Sequence, residues 1–116
     1  MFDINHCIFT VRIGNDLELK TTAGGASVVA FRLAVDRPKR KDSTVQETDW
    51  LDVIAWRQEA EFMHTYLGKG RKVIVDCCCR SRTWKDSNGK DCRSIEFHVN
   101  HIQPADSRGG EFTNVQ

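Results

Sequence analysis

Apolar and polar residues alternate with a period of two from Arg71 to Trp84, RKVIVDCCCRSRTW. That period marks a β-strand, whose successive side chains point to opposite faces. Val73, Val75, Cys77, Cys79, Ser81 and Thr83 form a small or apolar face that can line a core. The other face carries Lys72, Ile74, Asp76, Cys78, Arg80, Arg82 and Trp84. The segment WLDVIAW repeats the pattern, with Leu51, Val53 and Ala55 on one side and Trp50, Asp52, Ile54 and Trp56 on the other. Upstream, residues 4–21 read as a long strand interrupted at Gly14-Asn15-Asp16, residue types that permit a bend. After a turn at Ala23-Gly24-Gly25, residues 26–37 form a second strand. Its inner face carries Val29, Phe31, Leu33 and Val35, and Arg32 lies on the other face with Val28, Ala30 and Ala34.

The period changes after Trp56. Ala60, Met63 and Leu67 recur at helical spacing over residues 57–67, with Phe62 and Tyr66 beside them. Gly68 and Gly70 are expected to end that helix as a glycine cap. Asn88-Gly89 within Asp86-Ser87-Asn88-Gly89 predicts a hairpin tip. Residues 91–102 return as the last strand, with Ile95, Phe97 and Val99 on one face. A domain over 1–103 and a flexible tail over 104–116 are expected. Strand, strand, strand, helix, strand, strand is the order of an all-β, five-stranded OB-fold Greek-key barrel with one short helix between the third and fourth strands. Such barrels commonly bind oligonucleotides across the second and third strands.

Composition narrows the class without changing this picture. The 116 residues are 40% hydrophobic and 28% charged, which suits one globular domain. No apolar run approaches a membrane span and no signal-peptide pattern opens the chain, so a cytoplasmic address is expected. The formal net charge is only +1, but residues 69–93 hold eight Lys and Arg against three Asp. Charge is polarised towards Trp84. The five cysteines include no C-x-x-C pair. Cys77 and Cys79 read as small core residues with Cys78 facing out, and Cys92 with His98 and His101 matches no structural zinc spacing. Both histidines are placed at the surface or at a subunit contact.

All three tryptophans share a strand parity with charge. A tryptophan in a small domain is more often a buried anchor than a ligand contact. Packing a core on these faces, however, would bury Asp52, Arg80 and Arg82, at a cost of several kcal/mol each. Flat rings beside guanidinium groups instead make a platform for stacking unpaired bases. Trp50, Trp56 and Trp84 are the candidate stacking residues. Arg80, Arg82 and Lys72, together with Arg32, Arg37, Lys39 and Lys85, are the candidate phosphate contacts. The loop from Arg37 to Asp49 is basic at Lys39-Arg40-Lys41, a solvated tip or a phosphate track. Asp49, Asp52 and Asp76 form no catalytic motif, so no enzyme activity, metal or cofactor is expected.

Several segments, in order and at consistent spacing, carry a family resemblance over residues 4–102. They are Phe31-Arg32-Leu33-Ala34-Val35-Asp36-Arg37, Thr48-Asp49-Trp50, Trp56-Arg57-Gln58-Glu59-Ala60-Glu61 and Tyr66-Leu67-Gly68-Lys69-Gly70. Arg80-Ser81-Arg82-Thr83-Trp84 and Glu96-Phe97-His98-Val99-Asn100 follow. The chain resembles the bacterial single-stranded DNA-binding proteins. The resemblance implies an OB fold, usually a homotetramer, that wraps and protects single-stranded DNA in replication, recombination and repair, close to the nucleoid. It maps the family's stacking aromatics onto Trp50, Trp56 and Trp84. Three departures stand out. A further aromatic of some members falls near Lys39, family glycines are replaced by Val11 and Cys77, and the acidic tail that recruits replication and repair proteins is not found. A truncated chain or a short divergent member, for instance from a phage or mobile element, is implied. The competing readings are a dimeric, primosome-type OB adaptor and an OB-fold metal-dependent nuclease.

Overall fold

The alternating segments form strands, and the strands close on themselves. The structure, a computed structural model, describes residues 3–42 and 44–106. In chain order its elements are β1 (Cys7–Ile13), β2 (Lys20–Thr21), β3 (Ser27–Asp36), β4 (Thr48–Trp56), α1 (Arg57–Tyr66), β5 (Lys72–Lys85) and β6 (Asp91–Pro104). β1 and β2 are the two pieces of the interrupted first strand. Neighbours run β1–β5–β6–β4–β3, and β3 returns to β1 through Arg12/Ala34 and Ile13/Leu33. β2 extends the edge beyond β3. All pairings are antiparallel except β4 with β6, which meet in parallel at Val53/Phe97 and Ile54/His98. This is the OB-fold order, with the helix between the third and fourth long strands.

The predicted inner faces fill the barrel. Val29, Leu33, Val53, Ala55, Val73, Val75 and Cys77 are fully buried, with Ile13, Phe31 and Ile102 beside them. α1 contributes Ala60, Met63 and Leu67 to the same core. Val11 and Cys77 are both buried. They pair across β1 and β5 at Val11/Val73 and Cys7/Cys77. Burial pushes the Cys77 thiol up to about 12.

Three expectations are corrected. The alternation on β5 predicts a core face as far as Thr83, yet Arg80–Lys85 are exposed on both faces. Here β5 and β6 leave the barrel as a two-stranded arm (Arg80/Glu96 to Lys85/Asp91), and no other described element packs over its β5 residues. Its tip is held by Asp86, whose Oδ1 accepts the N–H groups of Asn88 and Lys90 at 2.9 Å, and Gly89 takes φ +79°. Second, β6 does not keep one parity. Asp76 faces His101 but Cys77 faces Val99, so a bulge at Asn100 turns both Val99 and Ile102 inward. Ile95 is left exposed on the arm.

Third, the helix does not end on a left-handed glycine. Leu67 closes it in an extended conformation, its N–H bonded to the Met63 carbonyl. Gly70, at φ +87°, acts three residues later, where its N–H donates to the Ile13 carbonyl at 2.8 Å. The left-handed residue at this helix is Arg57 (φ +54°), which turns the chain from β4 into α1 without a loop. The chain stays tied to the barrel past residue 103. Pro104 ends β6, the Ala105 N–H donates to the Lys72 carbonyl at 2.7 Å, and Asp106 bridges buried Arg71 at 2.9 Å. The rest of the predicted tail, 107–116, lies outside the described residues. Among the described residues no helix is long and apolar enough to cross a membrane.

Candidate nucleic-acid interface

β4 sets the spacing of the first two rings. With Val53 and Ala55 pinned in the core, the pleat turns Trp50, Asp52, Ile54 and Trp56 outward. Trp50 is 56% exposed, Trp56 38% and Trp84 41%, far from the burial of anchoring tryptophans. Trp50 is backed by Gly14. A Cβ built on Gly14 would stand 2.5 Å from Cζ3 of the indole, so only glycine allows the ring to lie there. Gly14 is itself fixed. Its N–H donates to the Arg32 carbonyl at 2.8 Å, and Asn15 Oδ1 accepts the Arg32 N–H at 2.7 Å. The break in the first strand thus serves as the seat of a ring.

Trp84 stands on the arm. The Arg82 guanidinium lies 5.1 Å from its ring centroid, a cation–π contact that covers one side of the indole. Arg32, Asp52, Ile54, Arg82, Ile95 and Glu96 line an open cavity of about 580 Å³. It joins the outer face of β3 and β4 to the root of the arm, so residues from four strands share one concave surface. Arg32 and Asp52 are directly paired across β3 and β4, with Nε and Oδ1 3.5 Å apart and both side chains well exposed. Arg80 is exposed on the same arm. Lys85 pairs with Asp91 at 2.9 Å near its tip.

The remaining candidates lie elsewhere. Lys72 opens β5 beside Arg12, eight residues before Arg80, which is roughly 26 Å along an extended strand. Lys39 is exposed in the loop between β3 and β4, with Arg37 and Arg40 around a second open cavity. Arg37 differs from the others because its fork is occupied. Nε and one terminal nitrogen hold both oxygens of Asp49 at 2.9 and 2.8 Å, and the other reaches Glu47 at 3.2 Å. That bidentate bond lowers the Asp49 carboxyl and raises the guanidinium further.

Sequence reasoning missed two residues here. His98, placed at the surface, is half-buried and bonded to the edge of Trp56. The indole Nε1–H donates to its Nδ1 at 3.2 Å, and its Nε2 lies 2.9 Å from Glu96 Oε1. Glu-x-His at a strand period of two was visible in the sequence, but its neighbour Trp56 was not. Among the described residues no group of three or more His, Cys, Asp or Glu side chains could hold a metal ion.

The comparisons by sequence agree on kinship, and a comparison by structure gives the fold. The family model described as "Single-strand binding protein family" matches residues 4–105. The Single-stranded DNA-binding protein of Treponema pallidum is 30% identical over 104 residues, 89% of this chain and 58% of that protein. The one from Thermotoga maritima is 35% identical over 109 residues, 92% of this chain and 77% of that protein. The chain therefore spans little more than half the length of some curated relatives. A solved structure described as "Plasmodium falciparum SSB complex with ssDNA" superposes with a TM-score of 0.79 at 24% identity, covering 91% of this chain and 98% of that one. With the family model matching nearly the whole described region, the chain belongs to the single-strand binding protein family.

Proposed function

We propose that this chain is a non-catalytic binder of single-stranded DNA that covers and protects unpaired strands during replication, recombination and repair. One observation carries the reading. Three tryptophans are each more than a third exposed, Trp50 and Trp56 on the outer face of β4 and Trp84 on the arm against Arg82, which also lines the cavity shared by Arg32 and Asp52. Bases stack on Trp50, Trp56 and Trp84, an interaction open to every base because each has a π-face. Arg32, Arg80, Arg82 and Lys85 take phosphates near the rings, and Lys39 and Lys72 extend the path at either end. Arg37, with its fork spent on Asp49 and Glu47, orders the loop that carries Lys39. The proposed partners are single-stranded DNA and further copies of this chain in a homotetramer. Exposed Ile8, on the outer face of β1, and Ile4 just before it support such assembly. The proposed address is the cytoplasm, at the nucleoid.

Titrating the protein with oligo-dT while following intrinsic tryptophan fluorescence tests this. Stacked bases quench most of the emission. Unquenched emission at saturating DNA and low salt removes the stacking mechanism. Molar mass in solution separates the tetramer from the dimer expected of an adaptor.

A further inference from the structure

Glu96 and His98 sit two residues apart on β6, so the strand period places them on one face. Each side chain is only 15% exposed. His98 is held in the middle of the sheet, opposite Cys78 of β5 and Ile54 of β4. Buried polar groups of this kind require partners. Here the partners run in one line, from the Trp56 indole to His98 Nδ1 and from His98 Nε2 to Glu96 Oε1.

The chemistry of the three groups fixes the direction of that line. An indole N–H can only donate, so Nδ1 must be the unprotonated, accepting nitrogen. The imidazole proton then lies on Nε2 and is donated to the Glu96 carboxylate, which holds the ring in this tautomer. The bond is made at the edge of the indole, and the two ring planes lie 18° apart with centroids 6.4 Å apart. An edge contact fixes the plane of Trp56 without using the face on which a base would lie. Trp50 gains its orientation from Gly14 and Trp84 from Arg82, whereas the orientation of Trp56 comes from this pair.

We infer that His98, held in its tautomer by Glu96, is a positioning residue that fixes the Trp56 ring for base stacking. This rests on the reading of Trp56 as a stacking residue. A ring fixed in advance loses less rotamer freedom on binding, worth about three- to ten-fold in affinity per side chain.

The first measurement uses the unaltered protein without DNA. A long-range proton–nitrogen spectrum of the histidines is expected to show His98 protonated at Nε2 and bare at Nδ1, and the opposite tautomer overturns the inference. In His98→Leu the Trp56 indole N–H signal moves and exchanges faster with water, while those of Trp50 and Trp84 stay in place. An unmoved Trp56 signal overturns it. Affinity for oligo-dT falls about three- to ten-fold in His98→Leu. It is retained in His98→Gln, whose amide oxygen accepts the same proton. In a Trp56→Ala background the His98→Leu change alters affinity less than about two-fold. An equal loss in both backgrounds marks a merely structural histidine and overturns the inference. Trp56→Ala binding like the unaltered protein removes the stacking premise, and the positioning role with it. That failure is distinguishable because the DNA-free tautomer and indole signal remain as described.

Discussion

At the scale of single residues, magnitudes decide what Asp52 does. It faces the concave surface beside Arg32, and either it orients that arginine or it opposes an anionic strand. A 3.5 Å pair between two side chains each more than 60% exposed contributes no more than about 1 kcal/mol. Such a pair leaves Arg32 free to move and the carboxylate still facing the cavity, which favours the repulsive reading. Asp52→Asn is expected to tighten binding by a few tenths to about 1 kcal/mol. Affinities at two salt concentrations check it, with the larger gain at low salt; weakened binding at both would restore the orienting role. Gly14 makes a separate prediction. Its added Cβ would meet the far edge of an exposed ring, which can swing away, and the Arg32 carbonyl oxygen at 3.3 Å, which yields only with the strand, so Gly14→Ala costs about 1 kcal/mol of stability. The displaced Trp50 nevertheless loses its seat, and affinity falls by part of the roughly 1–3 kcal/mol that a stacking ring supplies. A melting curve beside a DNA titration separates the two effects.

Among the elements, β5 has two lives. Its first half, Val73 to Cys77, is barrel core, and its second half, from Arg80, is an arm with both faces in water. Backbone hydrogen bonds without buried side chains over them open at low free energy. Amide hydrogens of 80–94 should therefore exchange well before those of 73–77 in the free protein, and slow down once oligo-dT is bound. Equal protection along the whole of β5 without DNA would mean that another surface covers the arm. An arm that opens readily suits a strand-binding surface, since it can follow the path of a flexible polymer.

For the whole molecule, the closing contact is at the end of β6. Arg71, 5% exposed, is bonded to Asp106, whose other oxygen accepts the Lys72 N–H at 3.2 Å. Arg71→Ala leaves the site without its buried cation and is expected to cost about 3 kcal/mol, seen as a lowered midpoint in urea. Burial alone would push the Asp106 carboxyl up, but the Lys72 N–H and the Arg71 guanidinium hold it below its ordinary range. The carboxyl of Asp49 is lowered chiefly by its hydrogen bond to Arg37. A group depressed in the folded state contributes fully above its unfolded pKa, about 3.9 for aspartate, and loses that contribution as pH falls through the lower folded value. Acid should therefore weaken the fold below about pH 4. Asp106→Asn should flatten that acid limb.

What the sequence determined by itself was the inside of the barrel and the order of its strands. Those follow from local periodicity, because a core face repeats every second residue wherever one side of a strand is dry. The outward parity of Trp50, Asp52 and Trp56 followed for the same reason, with Val53 and Ala55 locking the register. Periodicity could not say where burial stops, so Ser81 and Thr83 read like Val73 although no other described element covers them. The bulge at Asn100 was hidden because one extra residue changes the parity of a strand without changing its composition. The pairing of His98 with Trp56 was decided by the tertiary structure alone. It depends on β4 and β6 meeting in parallel at Ile54 and His98, a contact between segments forty-four residues apart. The seat of Trp50 on Gly14 is of the same kind. A glycine at a strand break is legible as a bend, but that a ring would come to rest on it is decided only when the barrel closes.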